Sequence, residues 1–116
     1  MNRLVEIRSY KLKPDSAEAF HATVSGEAVP MLWRRGTDVV AFGPGTQEPD
    51  TYFLVRAYAN HADLDARQDA FYGSDEWRKG PREAIVSRID HHVSTVLWMS
   101  AASVEDLRRA NAAASD

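Results

Sequence analysis

The stretch from Arg3 to Ala22, RLVEIRSYKLKPDSAEAFHA, decides how the rest of the chain is read. From Arg3 to Leu12 apolar and polar side chains alternate with the period of two that marks a strand, and Pro14 stops it because proline has no N–H to give a ladder. Val5 and Ile7 fall on one face of that strand; Glu6, Arg8 and Tyr10 fall on the other. Asp15 or Ser16 then offers an N-cap, and Ala17, Phe20, Val24 and Ala28 follow at helical spacing, which predicts a helix over about residues 16–27. An acid, a base and a phenol on one strand face need a use. They face another protein copy or they line a site.

Outward from there, VPMLWRRG (29–36) contains Pro30 and Gly36 and reads as a loop dipping Met31, Leu32 and Trp33 toward the core. Val39 to Phe42 and Tyr52 to Tyr58 read as strands, joined by turn residues Gly43, Pro44, Gly45, Pro49 and Asp50. Asn60 is an N-cap for a second helix on which Leu64, Gln68 and Phe71 share a side. Gly73 breaks that helix, Ser74 re-caps it, and Pro81 interrupts it again before REAIVSRI. The last strand is IDHHVSTVLWMS (89–100), followed by a short helix from Val104 to about Ala110 and a tail of small residues.

The order β-α-β-β-α-β defines an α+β, ferredoxin-like fold: a four-stranded antiparallel sheet with both helices on one face. Residues 1–100 form this domain and 101–116 a C-terminal tail. The rule of apolar side chains inward puts Val5, Ile7, Phe53, Val55 and Ala57 beneath the helices. The opposite face then collects Glu6, Arg8, Tyr10, Tyr52, Leu54, Arg56 and Tyr58. It is too aromatic to leave in water and too charged for an ordinary core. A homodimer through this open sheet face is therefore expected, burying the aromatics while Glu6 pairs with Arg8 or Arg56.

Composition narrows the function classes. A chain of 116 residues is one domain with a single modest core. The net charge is −3 and no run of Lys and Arg forms a stripe, so neither nucleic acid nor an anionic membrane surface is an expected partner. There is no cysteine, which removes disulfides, thiolate nucleophiles and cysteine-held metal centres. The opening MNRLVEIRS lacks the apolar stretch of a secretory leader, and no apolar run approaches the roughly 18 residues that span a bilayer. The expectation is a cytoplasmic protein.

Two segments carry a family resemblance. VEIRSYKLKPDSAEAF (5–20) resembles the first strand and helix of NIPSNAP-family proteins, with their Glu-x-Arg-x-Tyr strand, a proline, then a helix. YFLVRAYANHADLDARQDAFYGSDEW (52–77) resembles their third strand and second helix. The likeness runs over roughly residues 3–100. It implies the dimeric α/β barrel superfamily, in which two ferredoxin-like protomers face their sheets together. Cofactor-free monooxygenases of antibiotic biosynthesis, haem-degrading oxygenases, polyketide cyclases and muconolactone isomerases share that architecture, so the fold names no single reaction.

Histidine is the side chain that titrates near neutral pH, and the chain has four. If Val93, Thr95 and Leu97 lie beneath the helices, His91 joins them and can meet His21 of the first helix. A pocket shaped by Trp33, Phe71 and Trp77 would then suit acid–base work by His21 and His91 on a flat phenolic or enolic substrate. The plainer reading makes His21 half exposed and His91 a satisfied border residue. Adjacent His91 and His92 point to opposite faces of a strand and cannot share one ion, so no metal is expected. His61, a haem ligand by superfamily analogy, follows the Asn60 cap and belongs to an exposed first turn, so no cofactor is expected. Asp63, Asp65 and Asp69 with Arg67 make a solvated helix face, and Gly43–Gly45 is a turn without the helix and lysine of a phosphate cradle. Two functions remain. One is a dimer binding a small apolar or aromatic organic molecule, with cofactor-independent oxygenase or isomerase chemistry. The other is a non-catalytic scaffold dimer, and the packing around Trp77 discriminates them.

Overall fold

The computed structural model describes residues 1–114. The alternating stretch forms β1 (Asn2–Leu12), the spine of the sheet. It pairs antiparallel with β3 (Thr51–Tyr58) on one side and with β4 (Ile89–Ser100) on the other. Outside β3 lies β2 (Asp38–Pro44), giving a four-stranded sheet of order β2-β3-β1-β4. Glu6 stands opposite Arg56 of β3 and Val96 of β4; Arg8 stands opposite Leu54 and Ser94. This is the expected ferredoxin-like topology.

The first helical segment is longer than the pattern predicts. α1 (Ala17–Thr23) passes through a π-helical turn, Val24–Ala28, into α2 (Val29–Arg34), where a loop was expected. The reason is Pro30. Pro30 has no N–H to give the turn behind it, and the widened turn there, in which the Val29 N–H reaches the Val24 carbonyl, makes room for its ring so that the helix continues. Gly36, at φ 86°, then ends the path. The second helix is broken where Gly73 and Pro81 predict, into α3 (His61–Tyr72), α4 (Asp75–Lys79) and α5 (Arg82–Val86). Asn60 caps α3 by accepting from the Asp63 N–H at 2.8 Å, and Ser74 caps α4 by accepting from the Trp77 N–H at 3.2 Å.

The faces of the sheet are the reverse of the expectation. Tyr10, Leu12, Tyr52 and Leu54 lie beneath the helices and pack with Phe20, Leu32, Phe71, Trp77 and Ile85. Glu6, Arg8, Arg56 and Tyr58 share that buried side; Arg56 is 0% and Glu6 3% exposed. Val5, Ile7, Phe53, Val55 and Ala57 face the other way. The physical reason is that Glu6 and Arg56 pair with each other under the helices, so burying them does not leave a bare charge.

The second face is not left open either. α6 (Ala101–Ala114) starts directly after β4 and crosses the sheet, setting Val104 and Leu107 against Val5, Val55 and Ala57. Of the tail expected over 101–116, the last two positions lie outside the described residues. A bulge at Val40 turns Val39 toward the helices and both Val40 and Ala41 toward α6. α6 also ties down the edge of the sheet: Arg108 donates to the Val39 carbonyl at 3.0 Å, and the Phe42 N–H donates to Asn111 Oδ1 at 3.2 Å. β4 has no such cover. Val93, Val96, Leu97 and Trp98 along it are all exposed. Among the described residues no helix is long and apolar enough to cross a membrane.

Val104 is 1% exposed, so Val104→Ala should cost about 2 kcal/mol in urea unfolding. A helix merely hanging from the domain would tolerate the change within about 0.5 kcal/mol.

Candidate ligand-binding cleft

The centre of the helix side is a charged cluster built from register. Because Glu6 and Arg56 are directly opposite on β1 and β3, the Glu6 carboxylate accepts from Arg56 Nε at 3.1 Å and Nη2 at 2.5 Å. Two residues along β1, on the same face, Arg8 gives Nη2 to the other Glu6 oxygen at 3.0 Å. Gln68 of α3 adds a donor to Glu6 at 3.0 Å. One helical turn on, the Tyr72 hydroxyl accepts from Arg56 Nη1 at 2.8 Å and from Arg8 Nη1 at 3.3 Å, its ring lying about 6 Å from both guanidinium carbons. Arg8 Nε goes to the Ser94 hydroxyl of β4 at 3.0 Å. The two central strands, the edge strand β4 and α3 therefore meet at one ionic knot.

Burial by itself would push the Glu6 carboxyl up, but the Arg56 and Arg8 guanidiniums outweigh it and hold the pKa below its ordinary value. Burial likewise opposes the charge on Arg8, and Tyr72, Tyr10 and Glu6 restore it, so Arg8 is a permanent cation. Tyr10 is pushed up to about 12, first by burial and then by Tyr72, and burial also raises Tyr52 and Tyr58. These phenols keep their protons.

A broad dent of about 460 Å³ touches the knot through Tyr72, beside Asp75, Arg78, Lys79 and Arg82, and two hollows adjoin the same knot next to Trp77. One, about 30 Å³, is apolar and sits between Phe20, Leu32, Tyr52, Phe71 and Trp77, with room for about a single water. The other, about 220 Å³, opens to solvent beside β4 and is lined by Arg8, Tyr10, Tyr72, Trp77, Val86 and His92, with Ile85 and Ile89 completing it. It is the concave place where a cation, phenols, an indole and an imidazole converge. Its size is below the roughly 300–1,000 Å³ of drug-sized sites, which suits a one-ring molecule.

The expected site residues divide accordingly. Phe71 lines the closed hollow, and Trp77 lines both. Trp33 is 53% exposed and lines neither. His21 and His91 do not meet. His21 shares a 2.6 Å hydrogen bond with the Tyr52 hydroxyl and borders a groove with Phe42 and Asn111, over β3 and β2. His91 stands opposite Lys11 on the far face of β4, beside Asp90 at 3.3 Å. With the sheet faces reversed, it is His92, opposite Tyr10, that points to the helix side. Its ring lies 5.9 Å from that of Tyr10, and burial, then Arg8, lowers its pKa, so it is a neutral proton acceptor at pH 7. His61 begins α3 as an exposed residue, edge-on to Trp98 at 6.3 Å. Sequence reasoning missed Arg8, Tyr72 and His92 as cleft residues; the signal was present in Leu4, Tyr10 and Leu12, which share the face of Glu6 and Arg8.

An α+β arrangement of this topology, with a cleft between the helices and β4, defines a ferredoxin-like fold. Among solved structures, the chain has the fold of NIPSNAP-domain proteins. A NIPSNAP-like domain protein from Burkholderia xenovorans superposes with a TM-score of 0.75 at 19% identity, over 82% of this chain and 83% of that one. A NIPSNAP-family protein of Agrobacterium tumefaciens gives 0.76 at 17% identity, over 84% and 88%. A candidate antibiotic biosynthesis monooxygenase from Nitrosomonas europaea gives 0.60 at 19% identity, over 81% and 95%. No protein-family model matches the chain. No curated protein matches it either.

The knot makes a stability prediction. Glu6→Gln strands two buried guanidiniums against a neutral amide and should cost about 3–5 kcal/mol in urea unfolding at pH 7. Since the folded pKa of Glu6 lies below its ordinary 4.5, its contribution is full above that value and disappears as pH falls through the folded pKa. The gap between wild type and Glu6→Gln should therefore close on acidification below pH 4.5.

Proposed function

We propose that this protein is a homodimer that binds a small, flat, aromatic or enolic molecule in the cleft between β4 and helices α3–α5. The observation that carries the reading is the cleft itself: a half-open hollow in which Trp77 and Tyr72 offer apolar walls beside Arg8 and a neutral His92. Aromatic walls hold a ring by its faces, and a few convergent polar groups fix its orientation. The chemistry open to this arrangement is proton transfer. His92 accepts a proton from an acidic O–H or C–H of the ligand, leaving an imidazolium and the ligand's enolate or phenolate. An isomerase returns that proton to a different atom; a cofactor-independent oxygenase presents the same electron-rich anion to dioxygen. The solved neighbour described as a candidate antibiotic biosynthesis monooxygenase supports the second of these by likeness of fold alone.

The dimer rests on β4. Val93 and Leu97 are exposed at 63% and 38% on the far face, beside half-buried Ile7 and Met99, and α6 leaves this strip and the strand's free edge uncovered. A long strand with apolar side chains and unpaired backbone groups on its edge is a surface for another strand or sheet, and a second copy of the chain supplies both.

The scaffold alternative draws on a different observation. Phe71 and Trp77 are buried, and the hollow between them holds only about 30 Å³, so the deep core is closed. In that reading the sheet serves assembly and the outer cleft is a surface dent.

Native mass spectrometry of the purified protein separates these. The expected result is a dimer carrying a small-molecule adduct, converted to monomer by Leu97→Arg, a change the exposed position tolerates. A wild-type monomer, or a dimer that Leu97→Arg leaves intact, overturns the interface. A dimer with no adduct, and no binding in a screen of one-ring phenols and acids, favours the scaffold.

A further inference from the structure

Resting on the cleft reading above, we infer that the ligand is an anion: a one-ring aromatic or enolic acid whose carboxylate or ionised hydroxyl is received by Arg8 and the Tyr72 hydroxyl.

The first argument is charge. The buried knot holds two guanidiniums, Arg8 and Arg56, and one carboxylate, Glu6. The ionisable groups acting most strongly on Arg8 are Tyr72, Tyr10, Arg56 and Glu6, so no second acid balances it. Arg56 turns wholly inward, spending its donors on Glu6 and Tyr72 at zero exposure. The unbalanced charge thus belongs to Arg8, whose side chain is 15% exposed and lines the cleft. A cation drawn this far out of water is stabilised by each anion that reaches it, and Glu6 divides its single charge between Arg8 and Arg56.

The second argument is donor geometry. Arg8 has five N–H groups. Three are given to Ser94, Tyr72 and Glu6, which leaves N–H capacity for a ligand. The Tyr72 oxygen already accepts from both arginines, so both lone pairs are engaged and its O–H must point elsewhere. Among the described residues no acceptor takes that proton, and Tyr72 lines the cleft. A guanidinium N–H and a phenolic O–H from neighbouring groups form a donor pair, to which a carboxylate or oxyanion makes charge-assisted bonds roughly twice as strong as those of a neutral amide or ether. The walls have no carboxylate to repel it.

The test uses a matched pair, salicylate and salicylamide, titrated calorimetrically into the intact wild-type protein. Nuclear Overhauser contacts to the Ile85 and Val86 methyl groups locate the bound ring. The expected result is that the acid binds at least about tenfold more tightly than the amide, with contacts to both methyl groups. Arg8→Gln should abolish that preference and Arg8→Lys, which keeps the charge, should restore part of it. If acid and amide bind equally in the cleft, the anion inference falls while the cleft reading stands. If neither shows contacts to Ile85 or Val86, both fall. Should Arg8→Gln fail to fold, the acid–amide comparison on wild type decides by itself.

Discussion

Glu6 sits at the centre of the sheet with Arg56 bonded across one strand pair and Arg8 bonded from its own strand, all three withdrawn beneath the helices. Removing such groups from water costs several kcal/mol each, and the bonds among them offset that cost only if every partner arrives in register. A slip of one residue between β1 and β3 would put Glu6 on the opposite face from Arg56. The knot is thus a device for uniqueness more than for strength. It fixes which side of the sheet faces the helices, and through Gln68 and Tyr72 it fixes the seat of α3. The cleft walls inherit that positioning.

Once the ionic face is committed to the helices, the apolar face of Val5, Val55 and Ala57 must be covered from the other side. α6 does this over β2, β3 and part of β1, and its Arg108 and Asn111 close the β2 edge with side-chain bonds. The cover stops short of β4. One sheet therefore has a protected edge and an unprotected one, and the cleft lies along the unprotected side. The cleft and the exposed apolar residues of β4 are neighbours by construction.

The sequence made the element order readable because its punctuation is strong: Pro14, Asn60, Gly73, Ser74 and Pro81 each act where their local chemistry says. Pro30 misled because a proline in a first helical turn is indistinguishable, by pattern, from one in a loop. The reversed faces have a deeper cause. Binary patterning prices Glu6, Arg8 and Arg56 as solvent groups, and nothing along the chain reveals that residues fifty apart become cross-strand partners. The same error moved the cleft histidine from His92 to His91, since neighbours on a strand exchange faces together. Trp77 stands out along the chain because it follows a re-capped helix break, and it lines both hollows; Tyr72, at the end of the preceding helix, carries no local mark of its place beside them.

Arg8 and Ser94 are bonded across 86 positions of sequence, and the cleft's inner wall is built from the first strand to be made and the last. Contacts so distant in the chain are reached late, after the entropy of closing a long loop has been met. During synthesis β1 must wait for nearly the whole polypeptide before it gains its second neighbour. Until β4 arrives, Arg8 lacks its Ser94 partner and the cleft has no His92. The cleft is thereby a late feature of the fold: a product cut short before β4 carries α1–α5 and three strands of the sheet, yet lacks the wall that Ile89 and His92 complete.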